Sequence, residues 1–126
     1  MRVAVPISDG RISPVFDVAR RLLLVDVEGG NEAGRIAEAL QDCGLPLRAR
    51  RVADLSVDVL ICGAISRPLE EMLLSAGVEV VPRRCGPVED VLAAFLSGQL
   101  TEQAFVMPGS RASRQFVRRG GVGKGR

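Results

Sequence analysis

The sequence has no histidine, no tryptophan and no tyrosine, and aromatic residues make up 3% of its 126 residues. Histidine is the general base of Ser-His-Asp and Cys-His systems and a common ligand of protein-bound metals. Its absence excludes both kinds of catalytic centre and any metal site built on imidazole. The three cysteines, at positions 43, 62 and 85, contain no Cys-x-x-Cys pair. This spacing argues against a disulfide framework and against a zinc site of the usual kind.

Long apolar runs are also missing. No stretch approaches the roughly 18 apolar residues that a membrane helix needs, and no signal-peptide segment follows Met1. An apolar content of 47% with 25% charged residues is typical of a globular protein. We therefore expect a cytoplasmic protein with no membrane partner.

Basic charge is concentrated at the C-terminal end. Residues 103–126 hold six of the 17 basic residues and none of the 15 acidic ones. Apolar periodicity disappears from Met107 onward, which predicts one domain over residues 1–106 and a flexible Gly/Arg-rich tail over 107–126. The tail leaves a nucleic-acid-binding module as an alternative function. However, Phe116 is the only aromatic residue there, so a base-stacking platform is missing and nucleic acid is not the expected partner.

The central part of the chain predicts a strand, a glycine turn and a helix. Residues 57–62 are mostly apolar and β-branched, as in a strand that is covered on both faces. Gly63 permits a sharp turn, and Ser66 can cap a helix whose first turn tolerates Pro68. In open α/β sheets, ligands bind outside the carboxyl ends of the strands, so Cys62 and Gly63 mark the region in which to look for function.

The remaining patterns predict an α/β fold with the order β-β-β-α-β-α-β-α. Ser8, Asp9, Gly10 and Arg11 have the residue types of a hairpin turn. The helix before the central strand shows apolar spacing with its arginines directed outward. Right-handed crossovers then give a mixed five-stranded sheet with helices on both faces. The predicted strands cover residues 2–7, 21–28, 34–40 (an edge strand), 57–62 and 78–82, and the predicted helices cover 45–55, 69–76 and 87–98.

In this sheet the ends of the first, fourth and fifth strands lie side by side. The residues that would meet there, and that are therefore candidate cofactor contacts, are Ser8, Asp9, Gly10, Phe16, Cys62, Gly63, Cys85 and Gly86. Two thiols beside helix N-termini can ligate a soft metal or hold an anionic sulfide cluster, with Cys62 and Cys85 as metal ligands. The alternative interpretations are structural: Cys62 as a buried apolar residue, Asp9 and Gly10 as a turn, and Phe16 as a core anchor.

The motifs, taken in order, resemble a known family. The N-terminal part reads Val3-Ala4-Val5-Pro6, Asp9-Gly10, Ser13-Pro14-Val15-Phe16-Asp17 and Val25-Asp26-Val27-Glu28, and Asp58-Val59-Leu60-Ile61-Cys62-Gly63-Ala64-Ile65 follows. This series resembles the dinitrogenase iron-molybdenum cofactor biosynthesis family, which includes NifX and the C-terminal domain of NifB. The resemblance covers about residues 1–100. Many members carry His-Phe-Gly where this chain has Val15-Phe16-Asp17, so a histidine contact to a cofactor cannot occur here.

The resemblance implies a ribonuclease-H-like three-layer fold. It also implies a non-catalytic protein that binds or carries an iron-molybdenum cofactor or another molybdenum or iron–sulfur cluster, with a cofactor-assembly or acceptor protein as partner. A regulatory or interaction domain without bound metal is the alternative. A nuclease, which the fold class invites, is not expected because the first strand, from Val3 to Ile7, has no carboxylate for two-metal chemistry.

Overall fold

The computed structural model describes residues 1–41, 43–98 and 106–107. In these residues, six strands and three helices follow one another along the chain, with one 3-10 turn over Phe16–Val18. The strands are β1 (Arg2–Ser8), β2 (Arg11–Ile12), β3 (Arg21–Glu28), β4 (Asn31–Ala39), β5 (Val59–Ile61) and β6 (Glu79–Val81), and the helices are α1 (Leu45–Asp54), α2 (Arg67–Ser75) and α3 (Val88–Leu96).

The strands form one mixed sheet with the order β4-β3-β1-β5-β6, and β2 pairs separately with β1. β1 is antiparallel to β3 and parallel to β5, which in turn is parallel to β6. The carboxyl ends of β1, β5 and β6 therefore lie next to one another at one edge of the sheet, as the sequence predicted. This arrangement places the candidate site.

Each face of the sheet has its own hydrophobic core, because successive side chains of a strand point to opposite faces. Leu22 and Leu24 of β3 pack on the side of α1 and α2, whereas Leu23 and Val25 pack on the side of α3. Burial of a leucine or valine side chain contributes about 1.5–3 kcal/mol, so both layers stabilise the sheet. The predicted covering of both faces by helices is confirmed.

One detail of the sheet differs from expectation, and another agrees with it. The sequence predicted five strands, but the described residues contain six, because Arg11 and Ile12 pair with Ser8 and Ile7 across the hairpin turn. A two-residue strand is fixed by these partners and has no periodicity of its own. The predicted edge strand is confirmed: β4 lies at the margin of the sheet, and nearly all of its residues are exposed.

The arginines of α1 do not all point outward, contrary to the prediction. Arg50 and Arg51 are exposed, but Arg48 is only 2% exposed and lies among core side chains. The apolar part of an arginine side chain can cover hydrophobic surface while its guanidinium finds acceptors. Here the acceptors are the carbonyl oxygens of Ala19 and Gln41, at 2.7 and 3.3 Å.

None of the helices in the described part of the chain is both long enough and apolar enough to cross a membrane.

Candidate functional site

Three loops meet at the carboxyl edge of the sheet, and we call them together the rim: residues 8–17, 62–66 and 82–87. Backbone hydrogen bonds join the first loop to the third, since the amide of Ile12 donates to the carbonyl of Gly86 at 3.0 Å and that of Val88 donates to Gly10 at 2.9 Å. These bonds fix β2 against the residues that precede α3. Loops far apart in the sequence thus form one continuous surface.

The first loop is also bound to the second. The amide of Phe16 donates to the carbonyl of Ala64, and the amide of Ala64 donates to that of Pro14, both at 2.8 Å. At Gly63 a Cβ atom would lie 2.5 Å from the carbonyl oxygen of Pro14 and 2.8 Å from that of Ser13. Glycine is required at position 63 because another part of the backbone occupies the space of a side chain. No ligand needs to be invoked for this glycine.

The second and third loops continue the parallel pairing of β5 and β6. The amide of Arg83 donates to the carbonyl of Gly63 at 2.8 Å, and that of Arg84 donates to Cys62 at 2.9 Å. Val106 then bridges to Arg84 in antiparallel fashion. The chain therefore returns to the rim after α3, within the domain boundary predicted at residue 106. The predicted tail lies outside the described residues from position 108 onward.

Cys62 lies in a hydrocarbon environment. It is fully buried and belongs to the same core cluster as Leu60, Leu69 and Leu73. Burial raises the pKa of the Cys62 thiol far above its ordinary value, and the nearby Glu70 carboxylate raises it further. The thiol is therefore protonated at neutral pH, whereas metal ligation requires the thiolate. The predicted role of Cys62 as a metal ligand stays a prediction, and it would require the core around this residue to open.

Cys85 is in a different position on the rim. It is partly exposed and has no disulfide partner. It lies between Arg84 and Gly86, three residues before Val88, where α3 begins. The backbone amides at a helix N-terminus favour anions. Of the two rim thiols, only Cys85 is accessible without rearrangement of the core.

Phe16 and the hairpin turn occupy the places that their structural interpretations predicted. Phe16 is completely buried and packs in the core on the side of α1 and α2. Asp9 and Gly10 have φ values of 52° and 76°, the left-handed conformation of a tight hairpin turn, and both are exposed with Ser8. Gly86 is buried and has a φ of 126°, which favours glycine. Cofactor contact by these residues stays a prediction.

Asp17 has a role that the sequence did not reveal. Its Oδ1 accepts a hydrogen bond from the backbone amide of Ser66 at 2.9 Å, while the Ser66 hydroxyl accepts one from Leu69 at 3.4 Å. From the sequence alone, Asp17 had no predicted contact with Ser66 or with the start of α2. The Asp17 carboxylate holds the first loop to Ser66, the residue that caps α2. Nothing in the local sequence points to this partner, because it belongs to a different loop.

The donor set of the rim limits what it can bind. Within the described residues, no group of three or more Cys, Asp or Glu side chains is placed so that it could hold a metal ion. A bare ion that needs four protein ligands therefore has no site in this part of the chain. A preassembled cluster supplies most of its metal ligands itself, and it can be held by one thiolate and by backbone amides.

Comparison with known proteins identifies relatives of this architecture. A family model described as dinitrogenase iron-molybdenum cofactor matches residues 1–98. The solved structure of the protein PH0822 is 26% identical and has a TM-score of 0.76, with 82% of this chain and 96% of that chain covered. A Thermotoga protein with a provisional NifB assignment is 28% identical, with a TM-score of 0.59 and coverages of 78% and 89%. The apo form of the orange protein from Desulfovibrio gigas is 25% identical, with a TM-score of 0.65 and coverages of 83% and 94%.

Proposed function

The chain belongs to the dinitrogenase iron-molybdenum cofactor family, and we propose that it binds a preassembled iron-molybdenum or related metal–sulfur cluster on the rim. In this proposal the cluster is cargo, received from or delivered to a cofactor-assembly or acceptor protein, and the chain catalyses no reaction. An accessory role in nitrogen fixation, a cytoplasmic location and a ribonuclease-H-like assignment of the fold belong to the same proposal. The strand order β4-β3-β1-β5-β6 supports the last of these.

The observation that carries the proposal is the convergence of three loops on one surface that has an accessible thiol. The first and third loops are joined through Ile12 and Gly86, and Cys85 lies directly beside this joint. The side chains of Arg11 and Arg83 on the same two loops are exposed or partly exposed. Their positive charges, together with the N-terminus of α3, favour an anionic guest such as a sulfide-rich cluster.

We assign the direct metal contact to Cys85 and give Cys62 a supporting role. Cys62 closes the core beneath the rim, where its carbonyl oxygen accepts the amide of Arg84. Ser8, Asp9 and Gly10 on one side and Gly86 on the other form the backbone around the guest, and Gly63 supports this arrangement by letting the first loop pack directly on the second. Phe16, which is fully buried, anchors the first loop.

The test is anaerobic loading of the full chain with isolated iron-molybdenum cofactor or with a thiomolybdate cluster. Bound cluster is measured as visible absorption and as molybdenum that co-elutes with protein in gel filtration. We expect Cys85→Ala to weaken retention at least about tenfold, which corresponds to 1.4 kcal/mol.

The matched control is Cys43→Ala, which removes an equally half-buried thiol from a cavity beside β4, at the other side of the sheet. This variant should retain cluster as the unmodified chain does. Colourless protein after loading, or equal losses in both variants, would refute the proposal.

A further inference from the structure

A second candidate site lies beside α1, on the β3–β4 side of the sheet. Two adjoining cavities, of about 440 and about 480 Å³, share Leu40, Gln41 and Arg48 in their walls. We call the first of them the Arg48 cleft; Val18 and Arg20 complete its lining. Its size is within the range of small-ligand pockets. The rim thiol Cys85 follows β6, at the opposite margin of the sheet.

Arg48 carries a buried charge that the described residues do not neutralise. Among the described residues, its side chain donates to the carbonyl oxygens of Ala19 and Gln41, and its guanidinium carbon lies 5.7 Å from the centre of the Phe16 ring. The buried Nε has no hydrogen-bond partner in the part of the chain that the structure describes. Among the described residues no carboxylate forms an ion pair with Arg48. A guanidinium has five N–H donors, and a buried cation is costly unless it is paired.

Two described carboxylates, Glu38 in the wall of the adjoining cavity and Asp17 next to Val18 in the sequence, are already engaged. Glu38, in the wall of the adjoining cavity, accepts from Arg51 at 3.1 Å. Asp17 accepts the amide of Ser66. Arg20, the second cation of the cleft, is exposed and has no ion pair with another described residue. Among the described residues that line the cleft, the charged side chains are therefore both positive.

The cleft also has an apolar wall. Val18, although hydrophobic, is 68% exposed, and it lies in the same cavity as the buried Leu40. An exposed apolar side chain next to two arginines matches a ligand that has an anionic group and a short hydrocarbon part. Arginine is well suited to carboxylate and phosphate because its N–H groups can donate in pairs.

We propose that the Arg48 cleft binds a small organic oxyanion, a phosphate monoester or a carboxylate, with its charged end at Arg20 and Arg48 and its apolar end against Val18. This site is independent of the metal–sulfur cargo. The proposed anion site would remain even if the rim bound no cluster.

The test titrates phenyl phosphate, benzoate and inorganic phosphate into the full chain at constant ionic strength, with chloride as the reference anion. Binding is followed by the NMR chemical shifts of the backbone amides, and those of Arg20, Leu40 and Gln41 should change. Phenyl phosphate or benzoate should bind more tightly than inorganic phosphate because only the organic anions reach Val18. Arg20→Gln should weaken binding at least about tenfold. Arg20 is the residue to change because loss of the buried Arg48 can unfold the protein.

The matched control is Arg50→Gln, which removes the same charge from α1 at a position where the side chain is 78% exposed. It should leave binding unchanged. Equal weakening in both variants would show general charge screening and overturn the proposal, as would the absence of shifts at tens of millimolar of every probe. Binding that appears only in Asp42→Asn, which removes the carboxylate that follows Gln41 in the sequence and lies outside the described residues, would also overturn it.

Discussion

At Gly63 a single methyl group would meet backbone atoms that have little freedom to move. The Gly63→Ala variant would place its Cβ against the carbonyl oxygens of Pro14 and Ser13. We expect a loss of about 1–3 kcal/mol in the free energy of unfolding, the usual cost of forced overpacking. Denaturant unfolding followed by circular dichroism measures this loss.

The control for this prediction is Gly34→Ala on β4, where a Cβ would meet nothing within 4 Å. Its unfolding free energy should stay within about 0.5 kcal/mol of the unmodified chain. If the two substitutions cost the same, the close approach at the rim does not constrain position 63.

Individual residues were predictable from the sequence where their conformation is local. Asp9 and Gly10 form the expected turn because their backbone preferences alone favour it. The neighbours of Gly63 and Asp17 could not be read from the sequence, since Pro14 and Ser66 become their partners only when distant loops meet. The burial of Arg48 was missed for the same reason, because its acceptors lie on two other segments.

Between elements, Arg35 links the exposed strand β4 to α3. Its guanidinium contacts Glu32 on the same strand and Glu89 on the helix, the latter at 2.7 Å. Hydrogen bonds from Arg35 lower the pKa of both glutamates. The resulting stability is fully present above the ordinary glutamate pKa and is lost as the pH falls through the lowered values of the folded state.

We therefore expect Arg35→Gln to destabilise the protein at pH 7, by less than about 1 kcal/mol because the groups are partly exposed. The difference from the unmodified chain should shrink towards zero in acid, where both glutamates are protonated. Thermal unfolding across a pH series measures it. Arg50→Gln, which breaks only the long 3.9 Å pair with Asp54, serves as the control and should show little dependence on pH. A constant difference down to strongly acidic pH would contradict the assignment.

Elements with their own periodicity or caps were predicted well. β3 was expected over residues 21–28 and is observed as Arg21–Glu28, and Ser66 caps α2 as expected. Gly77 ends the turn after α2 with a φ of 90°. β2 was not predicted because two residues are too few to show an alternating apolar pattern. The strand forms because Ile12 and Arg11 pair with Ile7 and Ser8 of β1.

At the scale of the whole molecule, the reaction rates of the three thiols report how much of the fold must open before each thiol becomes accessible. Cys43 and Cys85 are partly exposed, whereas Cys62 is buried in the core. We expect Cys43 and Cys85 to react rapidly with a neutral thiol reagent, and Cys62 to react only as the chain unfolds. Mass spectrometry of the modified peptides separates the three rates.

Addition of denaturant should accelerate the slow modification of Cys62. The Cys62→Ala variant should show only the two rapid modifications. Rapid modification of all three thiols in the folded protein would mean that the core beneath the rim opens readily. In that case a direct role for Cys62 in ligation would regain support.

The hydrogen bonds between Gly10 and Val88, and between Ile12 and Gly86, also determine when the rim can form during translation. The first loop is synthesised well before its partners, because Gly86 and Val88 come far later in the chain than Gly10 and Ile12. The rim is therefore incomplete in a nascent polypeptide that ends before α3. On the proposed function, cluster loading must therefore follow synthesis of α3, and a chain truncated before α3 should be unable to retain the cluster.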